Sequence, residues 1–314
     1  KQEWIKYICD PVDKTNLKID KIFEKRGQYI IFGTLKSKSG NIYNIKEGVP
    51  ILLNRHTQSV RTVESFAYEW KTFDFDYGKK SWLQDIVRPV LGSIKYFKSK
   101  TIIDCGAGSG RQTLWMAQAG AKFVFSIELS DSAMTMVKKV TNKFRDKVFV
   151  IQADIEHLPI NRKSVKVDLA YCVNVIQHTK NPKETTLEIS KLLNQDSDFI
   201  FNIYLEKGRK NFLTILNFIR NITKFIPHSI LRYVSYFIAS FCYIFSFLPF
   251  IGSWFKKSLP TRYGFKETWL SVYDILGSHA YQKFYSEDEL SLILKKTNLK
   301  IIKRSKYAML LKMR

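Results

Sequence analysis

Short apolar runs alternate with segments of mixed polarity from residue 101 onward, and their lengths suit strands and helices. Apolar runs of strand length lie at Thr101–Cys105, Phe123–Ile127, Val148–Gln152, Val167–Val173 and Phe199–Leu205. Segments with helix start and stop signals lie between them, at Arg111–Ala119, Asp131–Phe144 and Pro182–Leu193. Because strands that alternate with helices form a parallel sheet covered on both faces, we expect an α/β fold.

A last helix and two strands are predicted near the end of the chain. The helix, Ser286–Thr297, starts with the Ser-x-x-Glu spacing of a capping box. Leu299–Lys303 and Tyr307–Leu311 follow as a closing strand pair. Residues 101–205 and 281–314 together therefore predict a Rossmann-like core with seven mostly parallel strands and helices on both faces.

The chain ahead of this core divides into two parts. Residues 1–57 predict a small β-rich domain, because Tyr29–Phe32 and Ile51–Leu53 are short apolar runs bounded by glycine and proline. Within it, Asn41–Leu53 has the pattern of a strand, a tight turn and a second strand. Residues 58–100 are rich in aromatic side chains and predict a loop and helical lead-in to the core.

Residues 206–280 interrupt the alternation and predict a hydrophobic helical insertion. Tyr233–Phe255 contains no charged residue, and this length alone suits a membrane span. Pro249 and Gly252 break the run, so a pair of basic, aromatic-rich helices lying in a membrane interface, over residues 212–257, fits better. A hydrophobic lid over an apolar substrate, or a buried helical cap without a membrane, is the alternative.

The chain is strongly basic, since 51 Lys and Arg against 28 Asp and Glu give a net charge of +23. This charge suits nucleic acid, an anionic membrane face or acidic substrates as partners, although lysines scattered through the whole chain also fit a general compositional bias. The four cysteines, Cys9, Cys105, Cys172 and Cys242, form no close pair and no CxxC motif. Their spacing argues against a disulfide framework and predicts a reducing cytoplasm.

Glycines follow the first strand of the core. The run Asp104-Cys105-Gly106-Ala107-Gly108-Ser109-Gly110 lets the chain turn sharply into a helix and lets a ligand approach the backbone. Arg111 occupies the place where a dinucleotide fingerprint needs glycine, which disfavours nicotinamide and flavin cofactors. The carboxylate of Asp104 suits a cationic ligand better than a pyrophosphate. Glu128 ends the second strand, 18 residues after Gly110, where an acid can accept hydrogen bonds from both hydroxyls of a ribose.

These strand ends resemble the cofactor site of class I S-adenosylmethionine (SAM)-dependent methyltransferases, of the type 11-like group. The third strand ends in Gln152-Ala153-Asp154-Ile155, and Glu156–Ile160 resembles the family's usual continuation. The fourth strand runs into Asn174-Val175-Ile176-Gln177-His178, which resembles the motif beside the transferring methyl group. The resemblance covers residues 101–205, and residues 281–314 less specifically. It implies SAM as the cofactor, S-adenosylhomocysteine (SAH) as the product, and no metal.

The resemblance also assigns contacts with the cofactor. It implies that Asp154 contacts the adenine amino group and that the backbone amide of Ile155 contacts the adenine ring. Phe66-Ala67-Tyr68-Glu69-Trp70 resembles a motif that helps to cover the cofactor in some bacterial methyltransferases, the alternative being packing between domains. The predicted cofactor-binding residues are Asp104, Gly106, Ala107, Gly108, Gly110, Glu128, Leu129, Asp154, Ile155 and Asn174.

Residues 1–57 resemble, in their last strand pair, the small zinc-ribbon-like domain that precedes some methyltransferases. That domain usually opens with a Cys-Pro-x-Cys knuckle, whereas the matching stretch, Cys9-Asp10-Pro11-Val12-Asp13-Lys14, has one cysteine. A zinc site needs about four nitrogen or sulfur ligands. We therefore expect a degenerate domain without metal.

Methyl transfer is an in-line displacement at an activated carbon, so the enzyme mainly aligns donor and acceptor. An oxygen or carbon nucleophile can also need a general base. His178 is the first candidate, because it follows the fourth strand and imidazole titrates near neutral pH; ordering the loop before Asn181 is its alternative role. His279, just after the insertion, is the second candidate.

The acceptor is predicted by analogy alone. Methyltransferases with a similar front domain, aromatic motif and insertion occur among bacterial enzymes of cell-surface glycan and lipid metabolism, which suggests a small-molecule, sugar or lipid-linked acceptor. The protein would then lie in the cytoplasm, at the inner face of the membrane. One alternative is an RNA methyltransferase, disfavoured by the missing zinc cysteines and the uncharged insertion. The other is a non-catalytic, membrane-associated scaffold that binds SAM.

Overall fold

The structure of the protein, a computed structural model, describes residues 1–53, 60–73, 78–206, 210–223, 225–277 and 283–314. The strands are β1 (Leu17–Arg26), β2 (Tyr29–Ser37), β3 (Ile42–Lys46), β4 (Val49–Leu52), β5 (Thr101–Cys105), β6 (Phe123–Glu128), β7 (Val148–Ala153), β8 (Leu169–Cys172), β9 (Asp198–Phe201), β10 (Leu299–Arg304) and β11 (Met309–Met313). The α-helices are α1 (Val60–Thr72), α2 (Lys79–Ser81), α3 (Arg88–Leu91), α4 (Arg111–Gln118), α5 (Asp131–Thr141), α6 (Pro182–Ser190), α7 (Lys210–Thr223), α8 (His228–Phe245), α9 (Gly252–Ser258), α10 (Phe265–Leu276) and α11 (Glu287–Lys296). A π-helical segment, Trp82–Val87, joins α2 to α3.

The described strands form one sheet of eleven strands, in the order β1-β2-β3-β4-β7-β6-β5-β8-β9-β11-β10. From β4 to β9 the neighbours in this order are parallel, whereas both ends of the sheet are antiparallel. The predicted α/β fold with a mostly parallel central sheet is confirmed. The prediction of seven strands is wrong, because four strands from the front of the chain join the same sheet.

The front strands extend the central sheet edge to edge. β4 lies parallel to β7, with Ile51 opposite Gln152 and Leu52 opposite Ala153. Trp4 packs its ring 5.0 Å from the ring of Phe123 on β6. One hydrophobic cluster therefore continues from the front strands into the central sheet, and burial of its side chains holds the two regions together.

The described part of the front region contains no group of side chains suited to bind zinc. Cys9 is buried, and burial raises the pKa of its thiol to about 11, which disfavours the thiolate that binds zinc. Among the described residues, no three His, Cys, Asp or Glu side chains group as metal ligands would. Asp10 instead orders the turn, since it accepts hydrogen bonds from the Val12 backbone at 2.7 Å and the Asn41 side chain at 2.9 Å. The structure gives the zinc-ribbon-like resemblance no support.

The predicted strands and helices of the core occur with small shifts at their ends. The strand predicted over Phe199–Leu205 ends earlier, at Phe201, because the next side chain, Asn202, turns to bond the residues after β8. The capping box that starts α11 is present. β1 is absent from the sequence prediction, since its charge-rich and largely exposed residues lack a clear apolar alternation.

In the described part of the chain, four α-helices, α7 to α10, lie between β9 and α11. α8 packs on α10, and its buried residues Leu231, Ser235 and Ala239 recur at helical spacing. Phe73, the residue after α1, belongs to the same apolar cluster, and its ring lies 5.1 Å from that of Tyr273 on α10. Among the described residues, no helix has both the length and the hydropathy to cross a bilayer.

Gly110, the last residue of the glycine loop, caps α4 with a positive φ of 79°. A Cβ at this position would lie 2.8 Å from the Cα of Val137 on α5. We expect Gly110→Ala to lower the free energy of unfolding by about 2–5 kcal/mol, through backbone strain and overpacking together. Gly27→Ala is the control, because Gly27 also has a positive φ, 58°, but a Cβ there would have no described atom within 4 Å. If urea denaturation shows the same decrease in the free energy of unfolding for both variants, overpacking at Gly110 is excluded.

Candidate functional site

The glycine loop lies where the order of the sheet reverses. β6 pairs with one side of β5 and β8 with the other. Ligands of open α/β sheets bind at such a switch point, outside the carboxyl ends of the strands. A pocket of about 940 Å³, part of it open solvent, occupies this place.

The loop is tied to β6 by its own backbone. The N–H groups of Gly106 and Ala107 both donate to the Ile127 carbonyl, at 2.9 and 2.8 Å. Gly106 has a φ of 81°, and a Cβ there would lie 2.6 Å from the side chain of Val175. The residues after β8 can therefore approach the loop closely only because Gly106 has no side chain.

Glu128, at the end of β6, is buried beside the loop. Its Oε2 accepts a hydrogen bond from the Gly108 backbone at 2.8 Å, and its Oε1 accepts one from the Ser130 backbone at 3.0 Å. Burial raises its pKa, and these backbone donors oppose the shift. The carboxylate also lines the pocket, where a ligand that donates hydrogen bonds would stabilise its ionised form.

Asp154 follows β7 and is buried at the same pocket. Its Oδ1 accepts a hydrogen bond from the Glu156 backbone at 2.9 Å, which caps a short 3-10 turn. Burial raises its pKa to about 6, against the lowering effect of that hydrogen bond. A ligand that donates a hydrogen bond to this carboxylate would stabilise its ionised form.

Asp104 lies under the loop and is absent from the described residues that line the pocket. Its Oδ2 accepts a hydrogen bond from the Thr113 hydroxyl of α4 at 2.5 Å, and that hydroxyl lies 3.1 Å from the Ser126 hydroxyl of β6. Asp104 thus joins β5 to α4. The prediction that it contacts the cofactor stays a prediction, and this geometry favours a supporting role.

Aromatic side chains of α1 cover the pocket. Val63, Phe66 and Trp70 line it, and the rings of Phe66 and Trp70 stack with centroids 6.1 Å apart. A Cβ on Gly108 would lie 3.0 Å from the Trp70 ring, so the indole rests on the glycine loop. That the Phe66–Trp70 motif helps to cover a cofactor stays a prediction.

Asn174, after β8, has a positive φ of 63° that a pair of amides holds in place. Its backbone N–H donates to Asn202 Oδ1 at 2.6 Å, and its own Oδ1 accepts from Asn202 Nδ2 at 2.7 Å. Asparagine tolerates the left-handed conformation better than most residues. The pair fixes the segment that leads to His178.

His178 lines the pocket, and its ring contacts Phe66 on one side and Tyr204 on the other, with centroid distances of 5.1 and 5.8 Å. It is buried, at 5% exposure. The structure therefore places the first catalytic candidate inside the pocket. His279, the second candidate, lies outside the described residues.

Most predicted cofactor residues meet in this one pocket. Those that line it are Gly106, Ala107, Gly108, Glu128, Leu129, Asp154, Ile155 and Asn174. Asp104 and Gly110 are not among the described residues that line the pocket. Residues that the sequence prediction omits also line it, among them Val63, Ser109, Arg111, Gln112, Ser130, Val175 and Thr179. Ser109, Arg111 and Gln112 follow directly from the glycine run, whereas Val63 carries no chemical signal in the sequence.

A group of polar side chains adjoins the His178 end of the pocket, and we call it the polar cluster: Glu69, Gln177, Tyr204, Arg220 and Asp274. Glu69 and Gln177 are 3% and 1% exposed. In the described structure, no hydrogen bond reaches Glu69 Oε2 or Arg220 Nη1, and the Gln177 amide lies against the Tyr204 hydroxyl. Buried polar atoms normally have partners, so this cluster has the character of a binding site.

Charges within the polar cluster act on one another. Burial and the neighbouring charge of Asp274 hold the pKa of Glu69 well above its usual range, and Arg111 opposes this. Burial and the same aspartate also raise the pKa of the Tyr204 hydroxyl. A protonated Glu69 and a neutral Tyr204 can each both donate and accept hydrogen bonds.

Burial raises the pKa of Asp104 to about 7, with the charge of Glu128 adding to the rise and the Thr113 hydrogen bond opposing it. The pKa of Asp104 is higher in the folded protein than in the unfolded chain. The protonated carboxyl therefore contributes its full stabilisation below about pH 4, and this contribution is lost as the pH rises to about 7. Asp104→Asn keeps an acceptor for Thr113 and cannot titrate. The free energy of unfolding of Asp104→Asn minus that of wild type should therefore increase by up to about 1.4 kcal/mol per pH unit between these two pH values. Urea denaturation at stepped pH measures this difference, and a pH-independent difference would contradict the raised pKa.

Comparison with known proteins agrees with the character of this site. Residues 103–201 match the model of a family described as a methyltransferase domain. A protein arginine N-methyltransferase of Arabidopsis thaliana is 34% identical over 107 residues, which cover 31% of this chain and 27% of the relative. A histone-arginine methyltransferase of Drosophila erecta is 31% identical over 160 residues, which cover 48% of this chain and 29% of the relative.

A solved S-adenosylmethionine-dependent methyltransferase from Mesorhizobium loti is similar with a TM-score of 0.31 and 19% identity, over 35% of this chain and 52% of that one. The chain covers less than a third of the length of the two curated relatives. The match over residues 103–201 spans β5 to β9, the strands whose ends form the pocket. Over residues 103–201 the chain is therefore similar to the family of methyltransferase domains.

Proposed function

We propose that the protein transfers a methyl group from SAM to a hydroxyl group of a small or lipid-linked acceptor that carries several hydroxyls, such as a sugar. The placement of Glu128 and Asp154 is the observation that supports methyl transfer from SAM. Two buried carboxyl groups end adjacent parallel strands, beside a glycine loop that an aromatic side chain covers. SAM presents a ribose, an adenine and a cationic centre, and these residues can bind the first two.

The pocket suits the cofactor group by group. The Glu128 carboxylate lines the pocket beside Gly108 and Ser130, where it can accept a hydrogen bond from a ribose hydroxyl. Asp154 can accept a hydrogen bond from the adenine amino group, with Ile155 beside it. Arg111 lines the same pocket and can pair with the carboxylate of the amino-acid portion.

The chemistry that SAM supplies is a methyl group on a positively charged sulfur. A bond forms between the acceptor oxygen and the methyl carbon while the carbon–sulfur bond breaks, and its electron pair stays on sulfur to give SAH. His178 is proposed as the base that takes the hydroxyl proton, because it lies between the pocket and the polar cluster. The rest of the site aligns the two reactants.

The polar cluster is the proposed acceptor site. Gln177 precedes His178, and Tyr204 contacts the His178 ring, so the cluster lies within reach of the proposed base. Its polar atoms are of both kinds: Arg220 Nη1 donates, Glu69 Oε2 can accept, and the Gln177 amide beside Tyr204 can do both. A hydroxyl likewise donates and accepts. The mixed set therefore suits a polyhydroxylated acceptor better than a group that only donates.

A protein arginine side chain is the second candidate acceptor. The names of the curated relatives favour it, and Glu69 has an open carboxyl oxygen that could accept from a guanidinium. Arg111 and Arg220 already lie near Glu69 and Asp274, which leaves less negative charge for a further cation. For this reason we propose the hydroxylated acceptor first.

Glu128→Gln tests the cofactor site. Loss of the carboxylate weakens hydrogen bonds to both ribose hydroxyls, and hydrogen bonds to a charged group contribute about 1.5–3 kcal/mol each. We expect the affinity for SAH, measured by calorimetry, to fall at least tenfold. Glu3→Gln, an exposed glutamate in the front region, is the control and should bind as wild type. A folded wild-type protein that does not bind SAH would overturn the proposed function.

Gln177→Leu tests the acceptor site. Gln177 lies against the Tyr204 hydroxyl, so leucine should lower the free energy of unfolding by no more than one neutral hydrogen bond, about 0.5–1.5 kcal/mol. We expect transfer of labelled methyl from SAM to a panel of glycosides to fall at least tenfold in kcat/KM, with SAH affinity unchanged. Gln28→Leu, on an exposed turn, is the control.

The outcomes of this experiment separate the two acceptors. Transfer to an arginine-rich peptide and to none of the glycosides would replace the hydroxylated acceptor with the protein acceptor, and methyl transfer itself would stand. Full activity of Gln177→Leu on its glycoside would remove the polar cluster from the acceptor site.

A further inference from the structure

Exposed large apolar side chains concentrate on helices α8 and α9 and the turn between them. Phe250 is 97% exposed and Phe237 is 71% exposed, values unusual for phenylalanine in a folded protein. We call the following set the apolar face: Ile230, Tyr233, Phe237, Phe241, Ile244, Phe247, Phe250 and Trp254. A contiguous exposed patch of this kind marks an interaction surface.

The apolar face is the outward side of a packed helix pair. On α8, Ile230, Phe237, Phe241 and Ile244 recur at helical spacing, opposite the buried residues Leu231, Ser235 and Ala239 that face α10. The rings of Phe241 and Phe245 stack at 4.0 Å, and both lie within 6.4 Å of the Phe255 ring on α9. The two helices are therefore joined by aromatic contacts, and the face has a rigid backing.

The charge of this part of the sequence is of one sign. From residue 207 to residue 266 the chain has ten Lys and Arg residues and no Asp or Glu, although the whole chain has 28 acidic residues. Lys256 and Lys257 follow Trp254 on α9 and are exposed. Lys256 and Lys257 thus border the apolar face, whereas Arg262, farther along this stretch, pairs with Asp85.

We propose that the apolar face docks on the surface of an anionic phospholipid bilayer, with α8 and α9 lying in the plane of the interface. The apolar side chains would enter the acyl boundary, and Tyr233 and Trp254 suit the headgroup level. Lys256 and Lys257 would pair with lipid phosphates and with anionic headgroups. The helices need not cross the bilayer for this arrangement.

Two other occupants fit the apolar face and its basic border less well. A second copy of the chain, placed face to face, would bring Lys256 and Lys257 of both copies to one interface, and like charges across an interface oppose association. Nucleic acid would satisfy the cations but leave the aliphatic side chains Ile230 and Ile244 without an apolar partner. An anionic membrane satisfies both the charge and the apolar surface.

Co-sedimentation of the full chain with phosphatidylcholine vesicles, with and without phosphatidylserine, tests the proposal. We expect wild type to bind the phosphatidylserine vesicles and to be released by high salt. Phe237→Glu should lower vesicle binding at least tenfold. Phe23→Glu on β1 is the matched control, because Phe23 is 69% exposed, and it should bind as wild type.

A charge variant tests the basic border. Lys256→Glu combined with Lys257→Glu should weaken binding to phosphatidylserine vesicles at least tenfold, whereas Lys18→Glu combined with Lys21→Glu on exposed β1 should not. Equal binding by Phe237→Glu and wild type, or no vesicle binding by a folded wild type, would overturn the proposal. A wild-type dimer in solution that Phe237→Glu dissociates, without vesicle binding, would assign the face to a second copy instead.

Discussion

The hydrogen bond from the Gly108 backbone to the Glu128 carboxylate, 2.8 Å long, ties the glycine loop to the end of β6, and the rest of the site depends on it. A buried carboxylate needs donors, and a loop between strand and helix needs acceptors, so each satisfies the other. The same loop lets Trp70 rest on Gly108 and Val175 approach Gly106. Three separate parts of the chain thus meet around one turn.

Helix α1 separates two environments and contributes to both. Its Phe66 and Trp70 cover the pocket, while Ser65, Glu69 and Phe73, spaced four residues apart, are buried on another side. Phe73 packs in the apolar cluster of α8 and α10, and Glu69 lies beside Asp274 of α10. A single helix therefore connects the proposed cofactor pocket, the proposed acceptor site and the helices that carry the apolar face.

Charge is distributed unevenly in this basic chain. Asp104, Glu128 and Asp154 are buried around the pocket, and burial raises the pKa of each. An ionised carboxyl group in such a place is unstable without a donor or a cation, so a ligand that supplies them is favoured. Elsewhere the cations dominate, above all between residues 207 and 266. This contrast separates a small-molecule pocket from a surface suited to an anionic partner.

The sequence by itself determined the alternation of strands and helices, the glycine turn, the capping box of α11 and the acids at three strand ends, because these patterns are local. Only the tertiary structure decided that β1 to β4 extend the central sheet, since strand pairing at an edge depends on distant residues. It also decided that Asp104 turns to Thr113 under the loop, and that Glu69, Gln177 and Tyr204 gather at one place. Side-chain direction and long-range packing produce these arrangements, and neither has a period that can be detected along the chain.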